Sequence, residues 1–174
     1  MTRAYVALGS NLDDPRAQVL RGFDALSRLP GSRLLARSRL YRSAPWGVID
    51  QPEFVNAAAA VETNLAPREL LDALLGIERA AGRDRSGARW GPRVLDLDLL
   101  LHGNLECDEP GLVLPHPHLH ERAFVLLPLN DLAPDLDVPG RGRVHQLLAG
   151  VDAGGCEPLA WAARRGDNPR SDQG

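Results

Sequence analysis

The alternation of apolar and polar positions divides most of the chain into short strands and amphipathic helices. Residues 4–8 form an apolar run that stops at Gly9-Ser10-Asn11, which reads as a buried strand entering a turn. Asp13, Asp14 and Pro15 mark a helix start, and Val19, Leu20, Phe23, Leu26 and Leu29 recur at helical spacing up to Pro30-Gly31. Residues 34–43 are strand-like. Residues 54–63 contain four consecutive alanines, which on propensity alone favour helix. They are assigned to a strand because Pro52 bounds them on one side and a new helix start, Leu65-Ala66-Pro67, on the other. Residues 68–81 are the clearest helix, with Leu70, Leu71, Leu74, Leu75 and Ile77 in phase and Gly82 as the stop. Leu95, Leu97 and Leu99 then alternate with Asp96 and Asp98, the period of a half-buried strand. A short edge strand at 105–108, the run Leu112-Val113-Leu114, a helix from Arg122 to Leu132 and a last short strand and helix at 142–148 complete the pattern.

Strand, helix, strand, strand, helix, strand is the order of an α+β, ferredoxin-like βαββαβ sandwich: an antiparallel sheet with helices on one face. Residues 1–150 are read as a single domain. Residues 151–174, rich in Gly, Arg, Asp and Pro, read as a poorly ordered tail that Trp161 would dock.

Composition narrows the classes. A chain of 174 residues, 44% hydrophobic and 25% charged, is long enough for one domain with a real core. A net charge of −3 gives no basic field for nucleic acid, so any positive patch must be local. The 20 basic residues are all arginine, and several cluster at 83–93. Cys107 and Cys156 lack zinc-finger spacing and carry no sign of a disulfide. Met1-Thr2-Arg3 runs straight into a strand, and no apolar run approaches the ~20 residues of a membrane helix. A cytoplasmic protein, taken as a monomer, with neither membrane nor nucleic acid as partner, is the expectation.

The chemistry concentrates at residues 89–101. With the leucines facing a core, Asp96 and Asp98 share the opposite face, ~7 Å apart along the chain. Neighbouring carboxylates repel unless a cation or a proton joins them. A hard divalent ion fits, because Mg²⁺ takes one or two protein carboxylates and completes its shell with phosphate and water. Arg89 and Arg93 add planar, permanently charged forks suited to phosphate. Read alone, Asp-x-Asp is also compatible with the wet face of a sheet. Residues 44–52, with Trp46 and Ile49 among prolines and a glycine, have the character of a functional loop, although Trp46 is equally compatible with packing on the core. Residues 83–89 read as a solvated loop or a closing lid. The Asn56 amide offers a donor and an acceptor together, or serves local backbone. His116, His118 and His120 would share one face of an extended segment as zinc ligands do, but the neighbouring acids suit a harder ion.

The segment Arg89, Gly91, Pro92, Arg93, Asp96, Leu97, Asp98, Leu99 and Leu100 resembles, without a gap, the signature of the 6-hydroxymethyl-7,8-dihydropterin pyrophosphokinases of folate biosynthesis. The Gly9-Ser10-Asn11-Leu12 opening is similar too, and the resemblance extends over roughly residues 2–140. It implies transfer of pyrophosphate from ATP to the hydroxymethyl oxygen of the pterin, with release of AMP. It further implies that Asp96 and Asp98 hold two Mg²⁺ ions, and that Arg83 and Arg93 clamp the transferring group. By the same resemblance, Leu71, Glu78, Arg85, Trp90, Leu99, Leu112, His116 and Arg122 contact ATP. Ser43, Ala44, Pro45, Trp46, Phe54, Asn56 and Phe124 contact the pterin, with Phe54 and Phe124 stacking on opposite faces of the ring. No dedicated general base stands out, and a hydroxyl coordinated to a divalent cation need not have one. Leu75, Gly111 and Pro117 stand where some members carry polar or aromatic nucleotide contacts, and Ser86 where a basic residue occurs. Another Mg²⁺-dependent nucleotidyl or phosphoryl transferase remains the alternative enzyme, and a ferredoxin-like ligand-binding module the alternative without chemistry.

Overall fold

The computed structural model describes residues 1–43, 53–82 and 94–159. Its elements in chain order begin with β1 (Thr2–Ser10), α1 (Pro15–Ser27), β2 (Ser32–Arg37), β3 (Tyr41–Ser43), β4 (Phe54–Thr63) and α2 (Pro67–Ala80). Then come β5 (Asp96–His102), β6 (Cys107–Glu109), β7 (Leu112–Leu114), α3 (Ala123–Leu132), β8 (Asp137–Val138), β9 (Gly142–Arg143), α4 (Val144–Ala149) and β10 (Cys156–Pro158).

β1 lies between β4 and β5, and every pairing in the main sheet is antiparallel. β2 and β3 both pair with β4, so the predicted single strand at 34–43 is two. The break has a local cause. Ser38 bonds Ala58 twice, its backbone N–H donating to Ala58 O at 2.9 Å and its Oγ accepting from Ala58 N at 2.8 Å. The chain then turns Arg39 away from the sheet toward Asp131.

Each central strand segregates its side chains by parity. Ala4, Val6 and Leu8 of β1, with Val55, Ala57, Ala59 and Val61 of β4 and Leu97 and Leu99 of β5, face one core. α1 closes it with Val19, Phe23 and Leu26, and α2 with Leu70 and Leu74. α1 presses close because Gly22 carries no side chain: a Cβ there would come within 2.8 Å of Leu8 Cδ2. α1 is capped by Asp14, whose carboxylate accepts from Ala17 N at 3.3 Å, with Pro15 next in line, as the sequence predicts.

The other face is covered as well, which differs from the one-sided sandwich expected. Tyr5, Ala60, Leu100 and Leu101 pack against Val125, Leu126 and Leu129 of α3 and Val144 of α4. The βαββαβ unit does lay α1 and α2 on one side; α3 and α4 add a second layer. The alanine run of β4 follows from this, since small side chains on both faces let helices approach from each side. A register shift at Tyr5/Val6 lets Leu100 and Leu101 both enter the second core, ending the strict alternation of β5.

Residues 151–159 differ from the expected poorly ordered tail. β10 adds to the sheet edge, Cys156 across from Ser43 and Pro158 across from Tyr41, and Leu159 N donates to Leu40 O at 2.8 Å. Trp161 lies outside the described residues.

Candidate functional site

The site forms where β1, β4 and β5 run side by side. Gly9 lies opposite Asn56 on one flank and Asp96 on the other; Ala7 lies opposite Ala58 and Asp98. Directly opposed residues share a face, so both aspartates and the asparagine rise from the α3 side of the sheet. Along that face of β1, Tyr5, Ala7 and Gly9 diminish in size, which opens a floor between Asn56 and Asp96. A Cβ on Gly9 would come within 3.0 Å of Asn56 Oδ1.

Above this floor is a cavity of about 320 Å³. Ser43, Phe54 and Asn56 form one wall and Phe124 and Val125 the other, with Asp96, Asp98 and Arg122 also on its lining. Asn56 Nδ2 donates to Ser43 Oγ at 3.2 Å, which orients the amide. The Arg122 guanidinium lies 5.7 Å from the Phe124 ring centroid. All four pterin candidates within the described residues, Ser43, Phe54, Asn56 and Phe124, therefore converge on one cavity. Ala44, Pro45 and Trp46 lie outside the described residues.

A second cavity, of about 350 Å³, lies beyond the outer edge of β5 between α2 and the β6–β7 hairpin. Leu71, Glu78, Leu99, Leu112 and His116 line it, five of the six nucleotide candidates that are described. The sixth, Arg122, lines the first cavity instead. Leu75, Gly111 and Pro117 line the second cavity too, so these three departures from the family pattern cluster at one place. Asp96 and Asp98 line both cavities. Arg83, Arg85, Ser86, Trp90 and Arg93 lie outside the described residues.

Glu78, only 4% exposed, has a role that spacing could not reveal. Its Oε2 accepts from Leu97 N at 2.7 Å, so it pins the peptide between the two aspartates. β5 is an edge of the main sheet, and a buried edge N–H needs a partner.

His116 is held neutral. Burial, then the positive charge of Arg122 and the nearby His118, push its pKa down from 6.5 to about 4. His118 N donates to its Nδ1 at 3.3 Å, which leaves Nε2–H as the ring's donor. The three histidines do not share a face. The segment turns through a 3-10 helix at Leu119–Glu121; His118 Nδ1 pairs with Glu121 at 2.9 Å, and His120 meets Arg141. No cluster of three or more His, Cys, Asp or Glu suited to a metal occurs among the described residues. Two adjacent carboxylates remain as the donor set, and they suit a hard ion that draws its other ligands from phosphate and water.

Sequence reasoning missed the lining contributed by Ala7, Leu8, Gly9 and Ser10. The signal was the Gly9-Ser10-Asn11 turn, noted for its resemblance but given no place in the site. Asn11, a residue 3% exposed, has no hydrogen-bond partner for its Oδ1 among the described residues.

A 2-amino-4-hydroxy-6-hydroxymethyldihydropteridine pyrophosphokinase of Pseudomonas aeruginosa is 55% identical over 160 residues, covering 92% of this chain and 98% of that one. One of Haemophilus influenzae is 45% identical over 148 residues, covering 85% and 92%. Among solved structures, wild-type Plasmodium falciparum HPPK-DHPS with pteroate shares the fold at a TM-score of 0.68 and 14% identity; the match covers 85% of this chain and 42% of that longer one. Residues 5–134 match the model of the 7,8-dihydro-6-hydroxymethylpterin-pyrophosphokinase (HPPK) family, and the chain belongs to that family.

Proposed function

We infer that this chain transfers the pyrophosphoryl group of ATP to the hydroxymethyl oxygen of 6-hydroxymethyl-7,8-dihydropterin, giving AMP and the pterin diphosphate of folate biosynthesis. The observation that carries the reading is that two cavities of different character meet at one pair of carboxylates.

The first cavity takes the pterin. A flat, electron-poor ring fits between Phe54 and Phe124, and the Asn56 amide reads its polar edge with a donor and an acceptor. The Asn56–Ser43 hydrogen bond fixes which way that amide points. The second cavity takes ATP, with its base among Leu71, Leu75 and Leu112 and its phosphates directed to Asp96 and Asp98. His116, uncharged at neutral pH, offers Nε2–H to the nucleotide without adding charge.

The hydroxymethyl oxygen attacks the β-phosphorus, the bond from that phosphorus to the α,β-bridging oxygen breaks, AMP leaves, and the hydroxyl proton passes to solvent. Two Mg²⁺ ions held by Asp96 and Asp98 would supply Lewis-acid stabilisation of the phosphate charge. The chain's own work is positioning and electrostatics, as phosphoryl-type transfer requires. Glu78 holds the strand that carries both carboxylates, and Arg83 and Arg93 clamp the moving group. Arg85, Trp90 and Arg122 steady the nucleotide, and Ala44, Pro45 and Trp46 complete the pterin pocket. The described residues contain no helix long and apolar enough to cross a membrane. The enzyme acts in the cytoplasm as a monomer.

The test is product analysis with ATP and Mg²⁺, with and without 6-hydroxymethyl-7,8-dihydropterin. AMP that forms only with the pterin, and no ADP, is the expected result; ADP would point to an ordinary kinase.

A further inference from the structure

Outside both cavities, one partly buried polar cluster has no part in the chemistry above: Arg39, Tyr41 and Asp131. Tyr41 is 1% exposed, and its hydroxyl donates to the Asp131 carboxylate, with distances of 2.9 and 3.0 Å to the two oxygens. Arg39 reaches the same carboxylate through its backbone N at 3.1 Å, Nε at 3.2 Å and Nη2 at 3.0 Å. Nη2 also donates to the Tyr41 hydroxyl at 2.9 Å. Burial and the neighbouring carboxylate push the Tyr41 phenol up to about 12, so the donor keeps its proton at working pH.

The position of this cluster gives it significance. Tyr41 and Ser43 are two apart on β3 and share a face, and Tyr41 is in register with Asn56. Ser43 and Asn56 form one wall of the first cavity. Asp131 lies on α3 seven residues after Phe124, two turns along the same side of the helix that forms the other wall. The carboxylate thus joins the strand of one wall to the helix of the other, at the end remote from the cavity.

We propose that Asp131, through Tyr41 and Arg39, is a positioning residue that sets the separation between Phe124 and the Ser43–Asn56 wall, and with it the grip on the pterin ring. A stacking slot is sensitive to its width: a ring held between two walls loses contact with one when the gap widens by a fraction of an ångström. The inference rests on the reading that the first cavity takes the pterin.

The test uses Tyr41→Phe, Asp131→Asn and their double variant in the full chain, with KM for each substrate, kcat and Tm measured. Tyr41→Phe keeps the buried ring and removes only the tie, so it folds even if Asp131→Asn does not. We expect the pterin KM to rise about tenfold in Asp131→Asn, by the scale on which small misplacements act, and by less in Tyr41→Phe. The ATP KM should stay within about twofold, because its cavity lies on the far side of β5. The double variant should be no worse than Asp131→Asn. A lowered Tm with the pterin KM unchanged, or both KM values rising together, would overturn the proposal. Phe124→Ala separates the levels. If it too leaves the pterin KM unchanged, the cavity assignment fails and the proposal with it. If it raises the pterin KM while both tie variants do not, the proposal alone fails.

Discussion

Asp96 and Asp98 are placed on one face by strand periodicity, and their consequence is therefore the most direct to test. Replacing Asp98 by Asn keeps shape and removes one charge from a pair that lines both cavities. Turnover should fall by about a thousandfold or more, the scale of several kcal/mol of lost charge stabilisation, while circular dichroism stays unchanged. Full retained activity would remove the metal role. His116 gives a pH prediction. Its folded pKa of about 4 lies below the ordinary 6.5, so the unfolded chain binds the extra proton first as pH falls. Its contribution to stability is complete above about 6.5 and is lost toward 4. The urea midpoint of the wild type should therefore fall more steeply over that range than that of His116→Gln; equal slopes would refute the neutral, half-buried ring. The shared face of Asp96 and Asp98 was legible in the sequence because it repeats with strand period. Gly9 was not, because it acts by lacking a side chain, and neither was the Leu97 N–H bond of Glu78, which joins residues 19 apart in sequence.

Elements were legible where a periodic pattern had clear stops. α2 was expected at 68–81 and spans Pro67–Ala80, and the alanine-rich β4 spans Phe54–Thr63 as its flanking prolines suggested. The second helical layer was harder to foresee: α3 was read as a helix, but nothing local says which face of the sheet it will cover. β10 had no local signal at all, since Cys156-Glu157-Pro158 has no strand pattern and is extended only because β3 offers an unpaired edge. A chain ending at Gly155 should therefore be less stable than one ending at Leu159. The loss of edge hydrogen bonds and of Leu159 packing on the core is worth about 1–3 kcal/mol, or several degrees in Tm. Identical melts would mean that the strand lies on the edge without holding it. Within β5, Glu78→Ala should cost about 1–3 kcal/mol by leaving the Leu97 N–H buried without its acceptor, whereas Glu78→Gln, which can still accept, should cost less. Urea denaturation of the two variants distinguishes them.

At the scale of the molecule, the proposed placement of the two substrates would make their binding interdependent. Among the described residues, the linings of the two cavities have only Asp96 and Asp98 in common. Two anionic groups facing an anionic triphosphate repel it, so nucleotide binding in this geometry needs cations between them. With cations held by Asp96 and Asp98, the same field would face the first cavity and would attract the hydroxymethyl oxygen of a pterin bound there. Binding in one cavity would then strengthen binding in the other, and linkage requires the effect to be reciprocal. Titration of the pterin should show an affinity at least about fivefold tighter with Mg²⁺ and a non-hydrolysable ATP analogue than without them, the lower end of ordinary coupling energies. Chelation of the metal, or Asp96→Asn, should abolish that gain while leaving the pterin's affinity for the free enzyme near its starting value, because Phe54, Asn56 and Phe124 are untouched. If the pterin binds equally well with and without the nucleotide and metal, the cavities are neighbours without communication, and the shared carboxylates serve only one of them.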